Sequence, residues 1–254
     1  MSDVPHVLVI AGADSSGGAG LVRDIQVITE LGARASCVVT AVTAQTNNRV
    51  EASTVLSPEL VRQQLRTALL ANDIRAIKIG MLGSGAIVRA VIEELPDRGR
   101  IPIVVDPVFR SSSGAALLDP GGVQLLRDQL LARCTLMTPN LMEAGALLGG
   151  DVAENGTEQT EQAKALLCFG SEGVLLKGGH GVSGESVDVL VTRIRPPSLL
   201  TAKRLDVTMR GTGCALSSAI AALMAAGEAM GSACHKAKAY VFEKLLALRS
   251  RGLS

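Results

Sequence analysis

Six apolar runs rich in β-branched residues recur along the chain: "VLVIAG" (7–12), "ASCVVTAV" (35–42), "AIKIG" (76–80), "IPIVVD" (101–106), "TLMT" (135–138) and "GVLLKG" (173–178). A strand with one face in water alternates apolar and polar residues. These runs do not alternate, so they suit strands covered on both faces, as in a parallel sheet flanked by helices. Helical periodicity lies between them. Over 18–31, Leu21, Ile25 and Ile28 repeat at three- and four-residue steps and predict one apolar stripe. In "SPELVRQQLRTALL", Ser57 reads as an N-cap with Pro58 at the first helical position. Leu60, Val61, Leu65, Ala68 and Leu69 then form the expected buried face, and 157–169 and 231–248 read as further helices. This alternation predicts a doubly wound α/β sheet. Within 182–205, "SVDVLVT" and "SLLTAKRL" read instead as short antiparallel strands added at one edge. No linker, repeat or low-complexity tract interrupts the sequence, so a single domain over 1–254 is expected.

Composition narrows the function classes. Hydrophobic residues make up 47% of the chain, enough for a large core. The formal net charge of +1 supplies no broad field for nucleic acid or an anionic membrane. Aromatics are 2% with no Trp, which leaves few platforms for stacking bases. A phosphorylated ligand stays open, because local backbone N–H groups bind phosphate without net charge. Cysteines at 37, 134, 168, 214 and 234 form no CxxC, and the histidines are His6, His180 and His235, so a structural zinc site has no support. This scattered, odd set reads as reduced thiols of a cytosolic protein. "MSDVPHVLVI" has neither a basic region nor a long apolar stretch, so no signal peptide is expected. "GTGCALSSAIAALMAAG" is shorter than the ~20 residues of a spanning helix. The expectation is a soluble, cytoplasmic protein with no nucleic-acid or membrane partner.

Several short stretches carry candidate chemistry. "AGADSSGGAGLVRD" (11–24) follows the first apolar run, with Gly17, Gly18 and Gly20 at its turn. It fails the GxGxxG dinucleotide pattern, because Arg23 stands where the last glycine belongs, and no Gly-Lys-Ser/Thr makes it a P-loop. Either its glycines only relieve a tight turn, or they bring backbone close to a ligand. "RGTGC" (210–214) precedes an uncharged helix, and Gly211 and Gly213 there expose N–H groups at the positive end of the dipole. Such a turn stabilises charge developing on a transferred phosphoryl group. Cys214 at this place is expected to have a lowered pKa, or else to be an ordinary buried cysteine at a cap. In "TPNLMEAGALLG" (138–149), Asn140 and Glu143 share one face of a helix start. They suit a hydrated magnesium ion or, more commonly, a capping box. In "LLKGGHG" (175–181), Lys177 suits a phosphate contact or a solvated loop, and Gly178 and Gly179 would admit a ligand. Asp106 ends "IVVDP" where α/β folds bind ligands, or caps the Pro107 loop.

Taken in order, "IAGADSSGGAGLVRDIQ", "TAVTAQ", "KIGML", "DPV" followed by "SSG", "TPNLMEA", "LKGGH" and "GTGCALSSAIAA" resemble the ribokinase-like superfamily. The resemblance runs from about residue 7 to 246 and is strongest to the hydroxymethylpyrimidine and phosphomethylpyrimidine kinases of thiamine biosynthesis. It implies a three-layer α/β/α sandwich with a mostly parallel sheet and antiparallel edge strands. It implies that Gly12, Asp24, Thr43, Gln45, Met81 and Val108 line a pyrimidine pocket. Lys177, Gly178, Gly179, Thr212 and the rest of the GTGC turn would hold the phosphates of ATP. Asp106, Asn140 and Glu143 would organise Mg2+, directly or through water. Cys214 would take the hydroxyl proton as base, with Gly211 and Gly213 completing the anion hole. The resemblance also suggests a homodimer. Departures are specific: "VTMR" replaces the common Asn-Thr-His before GTGC, Ser112 stands where a Lys is common, and Thr43 replaces an apolar residue. Arg210 is a candidate substitute for that Lys as a phosphate contact. Two alternatives accompany this reading. One is a pyridoxal kinase of the same fold, although such kinases generally carry Asp at the Cys214 position. The other is a non-catalytic pyrimidine sensor.

Overall fold

The structure is a computed structural model that describes residues 4–46, 48–111, 114–178, 184–207 and 209–250. Its elements in chain order are β1 (His6–Asp14), α1 (Gly20–Glu30), β2 (Arg34–Gln45), β3 (Val50–Val55), α2 (Pro58–Ala71), β4 (Ala76–Ile79), α3 (Gly85–Glu94), β5 (Ile103–Val105), α4 (Pro120–Leu125), β6 (Leu136–Met137), α5 (Leu141–Leu148), α6 (Gly156–Leu166), β7 (Gly173–Gly178), β8 (Glu185–Thr192), β9 (Ser198–Lys203), α7 (Thr212–Ala225) and α8 (Met230–Ser250). The strands form one sheet ordered β3-β2-β1-β4-β5-β6-β7-β8-β9. The six from β2 to β7 in that order run parallel, while β3, β8 and β9 pair antiparallel at the two ends.

The non-alternating runs are buried on both faces, as their composition requires. Leu8, Ile10, Ile77, Ile79 and Val105 pack toward α2 through α6. Their neighbours Val7, Val9, Ala11, Ala76 and Val104 pack toward α1, α7 and α8. Each fully buried aliphatic side chain contributes about 1.5–3 kcal/mol relative to exposure, so these two layers dominate the fold's stability. Among the described residues, no helix is long and apolar enough to cross a membrane.

Ser57 caps α2 by accepting from the Leu60 amide, with Pro58 at the helix start. Two expected stripes shift. Ile25 is 37% exposed, and Asp24 takes the buried place beside Leu21, Val27 and Ile28. Leu60 is 44% exposed, leaving Val61 and Leu65 as the fully buried residues of α2. Strand β3, "VEASTV", has no apolar run and is exposed along its length. It exists because β2 offers it an edge to pair with.

The strand order reverses beside β1. The chain goes from β1 outward to β2 and β3, then returns to place β4 on the other side of β1. A crevice opens at the carboxyl ends of strands where such a reversal occurs. The residues that follow or end the strands there are Gly12 to Asp14, Gly80 and Met81, Asp106, Thr138 and Lys177.

Candidate active site

One wall is built around Lys177. Its backbone N–H donates to the Pro139 carbonyl at 2.9 Å, which ties the end of β7 to the start of α5. Its Nζ donates to Asp106 Oδ1 at 2.8 Å and lies 4.0 Å from Glu143 Oε2. Thr138 Oγ1 donates to the same Asp106 oxygen at 3.4 Å. Glu143 and Asn140 form a complete capping box: the Asn140 amide donates to Glu143 Oε2, and the Glu143 amide donates to Asn140 Oδ1, both at 2.8 Å. Burial pushes the Glu143 carboxyl up to about 7, Lys177 opposes this, and Asp106 adds to it. Burial alone would lower the Lys177 ammonium, but the Asp106 and Glu143 carboxylates hold it above its ordinary value.

The start of α7 faces this wall. Helices α2 through α6 each begin with a side-chain cap, from Ser57, Ser84, Asp119, Asn140 and Asn155. Helix α7 begins with Gly211 at φ +72° and no side-chain cap, so its first amides keep their donors. A Cβ at Gly213 would lie 3.1 Å from Lys177 Nζ and 3.6 Å from Asp106 Oδ2. A Cβ at Gly211 would lie 2.5 Å from the Gly18 carbonyl oxygen. The GTGC turn therefore closes against the opening glycine loop, nearly two hundred residues away in sequence. Cys214 sits half-buried at this junction. Burial pushes its thiol up to about 11, against the lowering effects of Lys78 and the Gly20 amide. The expected lowering by the helix terminus is thus outweighed by loss of solvent.

The opening loop is already neutralised. Asp14 Oδ1 accepts from Ser16 N and Ser16 Oγ, both at 2.8 Å, and Oδ2 accepts from Ala19 N at 2.9 Å. A carboxylate occupies the loop amides that a phosphate would need. Near it, Gly12 is buried, and a Cβ there would meet Met81 Sδ at 2.8 Å. Thr43 Oγ1 donates to the Ala13 carbonyl at 3.1 Å, and the Met81 carbonyl accepts from Thr40 Oγ1 at 2.7 Å. Gln45 ends β2 beside this group, and Val108 follows Asp106 with its amide bonded to the Asp106 carbonyl at 2.8 Å. Gly12, Thr43, Gln45 and Met81 thus gather around the ends of β1, β2 and β4.

Three expected placements change. Asp24 does not reach the crevice: its side chain is fully buried, Oδ2 accepts from Lys78 Nζ at 2.7 Å, and Oδ1 accepts from Ser218 Oγ at 2.8 Å. Burial raises the Asp24 carboxyl, and Lys78 counters it. Gly178 offers no phosphate donor, because its amide bonds Asp188 Oδ1 at 3.1 Å and a Cβ would strike Gln159 Nε2 and the Val187 oxygen at 2.2 Å. Arg210 turns to the opening loop and the end of β2, where it contacts Ser16, Gln45, Thr46 and Asp14. Thr212 Oγ1 is bonded to the Met209 carbonyl. Gly179 and Ser112 lie outside the described residues. Lys78 and Ser218 were not singled out from sequence. A lysine inside the apolar strand "AIKI" is the signal that a buried partner must exist.

Known proteins resemble this chain along nearly its whole length. Residues 14–251 match the family model described as phosphomethylpyrimidine kinase. The hydroxymethylpyrimidine/phosphomethylpyrimidine kinase of Salmonella typhimurium is 39% identical over 237 residues, covering 93% of this chain and 89% of that protein. The phosphomethylpyrimidine kinase structure from Clostridium difficile superposes with a TM-score of 0.81 at 33% identity, over 94% of this chain and 99% of that one. The pyridoxal kinase of Staphylococcus aureus, solved with AMP-PCP and pyridoxal, gives 0.85 at 30% identity, over 94% and 87%. The chain spans about half the length of the bifunctional thiamine-biosynthesis relatives that it also matches. The sheet with its antiparallel ends, flanked by helices on both faces, is the ribokinase-like architecture of these kinases. With an uncapped helix terminus set over a buried Lys–Asp–Glu group, and this likeness along nearly its whole length, the chain belongs to the phosphomethylpyrimidine kinase family and is a phosphotransferase.

Proposed function

We propose that this chain transfers the γ-phosphoryl group of ATP to the hydroxymethyl group of 4-amino-5-hydroxymethyl-2-methylpyrimidine, and then to the resulting monophosphate, giving the pyrimidine pyrophosphate used for thiamine. The observation that carries the reading is the uncapped start of α7, whose Gly213 faces the Lys177–Asp106–Glu143 group while Gly211 touches the glycine loop of the other wall. A transferred phosphoryl group between the walls meets helix amides, which stabilise charge on its equatorial oxygens. The Lys177 ammonium adds a point charge. Gly12, Thr43, Gln45, Met81 and Val108 would hold the pyrimidine, and Cys214 at the seam would receive the hydroxyl proton. For the monophosphate, already an anion, the amides carry more of the catalysis.

Magnesium fits the donor set. Among the described residues no three His, Cys, Asp or Glu side chains gather as a metal cage. Asp106 and Glu143 instead offer hard carboxylate oxygens on the Lys177 wall, which suits an ion that keeps waters and leans on substrate phosphates. Asp106 and Glu143, with Asn140 through water, would hold it, and it would neutralise charge on the transferring phosphates. We place the protein in the cytoplasm as a single-domain homodimer, following the family resemblance.

The test is mass spectrometry of products from ATP and magnesium with the alcohol and, separately, with the monophosphate. Monophosphate and pyrophosphate are the expected products. Binding of the pyrimidine without turnover would favour a sensor instead. The TM-score of 0.85 to a pyridoxal kinase supports a second reading, in which pyridoxal is phosphorylated. A substrate panel that includes pyridoxal separates the two.

A further inference from the structure

Arg210 stands beside the GTGC turn yet reaches across the seam to two other segments, the opening loop and the end of β2. Nη1 donates to Ser16 Oγ at 2.7 Å and to the Thr46 carbonyl at 2.9 Å. Nη2 donates to Gln45 Oε1 at 2.7 Å and lies 3.3 Å from Asp14 Oδ2. The side chain is only 18% exposed, so this is a fastened guanidinium rather than a waving surface arginine. We infer that Arg210 is a specificity-determining positioning residue: by holding the Gln45 amide oxygen it presents the amide nitrogen to the substrate, so the pocket requires a hydrogen-bond acceptor at that point.

The orientation follows from donor and acceptor chemistry. A guanidinium has five donors and no acceptor, whereas a glutamine amide has one oxygen and one NH2 end. Only the oxygen can face Arg210; a flipped amide would set donors against donors. The contact is charge-assisted and therefore stronger than a neutral pair. It is made wholly between protein groups, so the fold itself aims the NH2 group. The atom opposite must accept, as a pyrimidine ring nitrogen does and a ring C–H or exocyclic amine does not. A site built around a donor rejects an analogue that leaves the donor unpaired. Lysine at 210 offers a single point of charge and cannot reproduce a fork anchored on several acceptors.

This inference rests on the proposed pyrimidine kinase reading, and the experiment separates the two. Binding of the aminopyrimidine alcohol without ATP is measured by calorimetry, with kcat and KM for both substrates. Two aminopyridine analogues, each with one ring nitrogen replaced by C–H, are measured beside it. In the wild-type protein one analogue should bind at least about tenfold more weakly than the parent, the value of one lost hydrogen bond. Arg210→Met should raise the pyrimidine KM about tenfold, leave the KM for ATP unchanged, and bring that analogue level with the parent. Gln45→Glu keeps an oxygen for Arg210 but removes the donor, and should abolish the same discrimination even if Arg210→Met folds poorly. Full discrimination retained in a folded Arg210→Met, or in Gln45→Glu, or wild-type protein that binds parent and both analogues alike, overturns the inference alone. Wild-type protein that fails to bind the parent overturns the proposed function, and this inference with it.

Discussion

At Cys214 burial opposes a thiolate, the Lys78 charge and the Gly20 amide favour one, and burial wins by pushing the thiol to about 11. An acid whose pKa is raised stays neutral below it, so its ionised fraction grows about tenfold per pH unit on the way up. Phosphorylation of the alcohol should therefore accelerate from neutral into alkaline pH, whereas phosphorylation of the monophosphate, which needs no base, should stay nearly flat. Cys214→Ala should slow the alcohol reaction by about 10²–10⁴-fold and remove that rise; initial rates of ADP release across pH measure both. Near-normal turnover of the variant would take the thiol out of the proton path. Lys177, Asp106, Asn140 and Glu143, singled out in the sequence as polar residues at strand ends and a helix start, come together on one wall. Asp24, Gly178 and Arg210 were misplaced for one shared reason. Their surroundings are set by Lys78, by Gln159 and the paired strand at Val187, and by Gln45, partners that tertiary packing supplies and local pattern does not show.

Between elements, capping decides more than propensity. Asp119 accepts from Gly122 N at 2.6 Å to start α4, and also from Gly85 N at 3.1 Å to start α3. One exposed carboxylate thus fastens two helix termini together. Asp119→Ala should cost about 0.5–2 kcal/mol, read as a lowered thermal midpoint with kcat and KM unchanged. The parallel strands and the paired strands at one end were readable from unbroken apolar runs. Strand β3 was not, because its residues are polar and exposed and its existence depends on the neighbour it pairs with. The stripe on α1 was misread by one position because Asp24 is buried with a partner, whereas periodicity counts any carboxylate as surface.

Across the whole molecule, the Lys78–Asp24–Ser218 group joins the centre of the sheet to α1 and α7. Lys78 and Asp24 are fully buried, so removing one charge strands the other. Lys78→Met should lower stability by about 3–5 kcal/mol, and the double variant Lys78→Met with Asp24→Leu should recover most of it; urea midpoints report both. If Asp24→Asn instead raised only the pyrimidine KM at unchanged stability, Asp24 would belong to the pocket after all. A different consequence comes from the contact between the Gly211 backbone and the Gly18 carbonyl. The ribosome makes the glycine loop nearly two hundred residues before the GTGC turn, and domains fold as units during synthesis. A nascent chain made to Lys203 would contain every strand of the sheet but neither α7 nor α8, so one face of the sheet and the Lys78–Asp24 pair would lack their cover. Closure of that face and enzymatic competence should therefore appear together and late, with the arrival of the GTGC turn and the helix it starts.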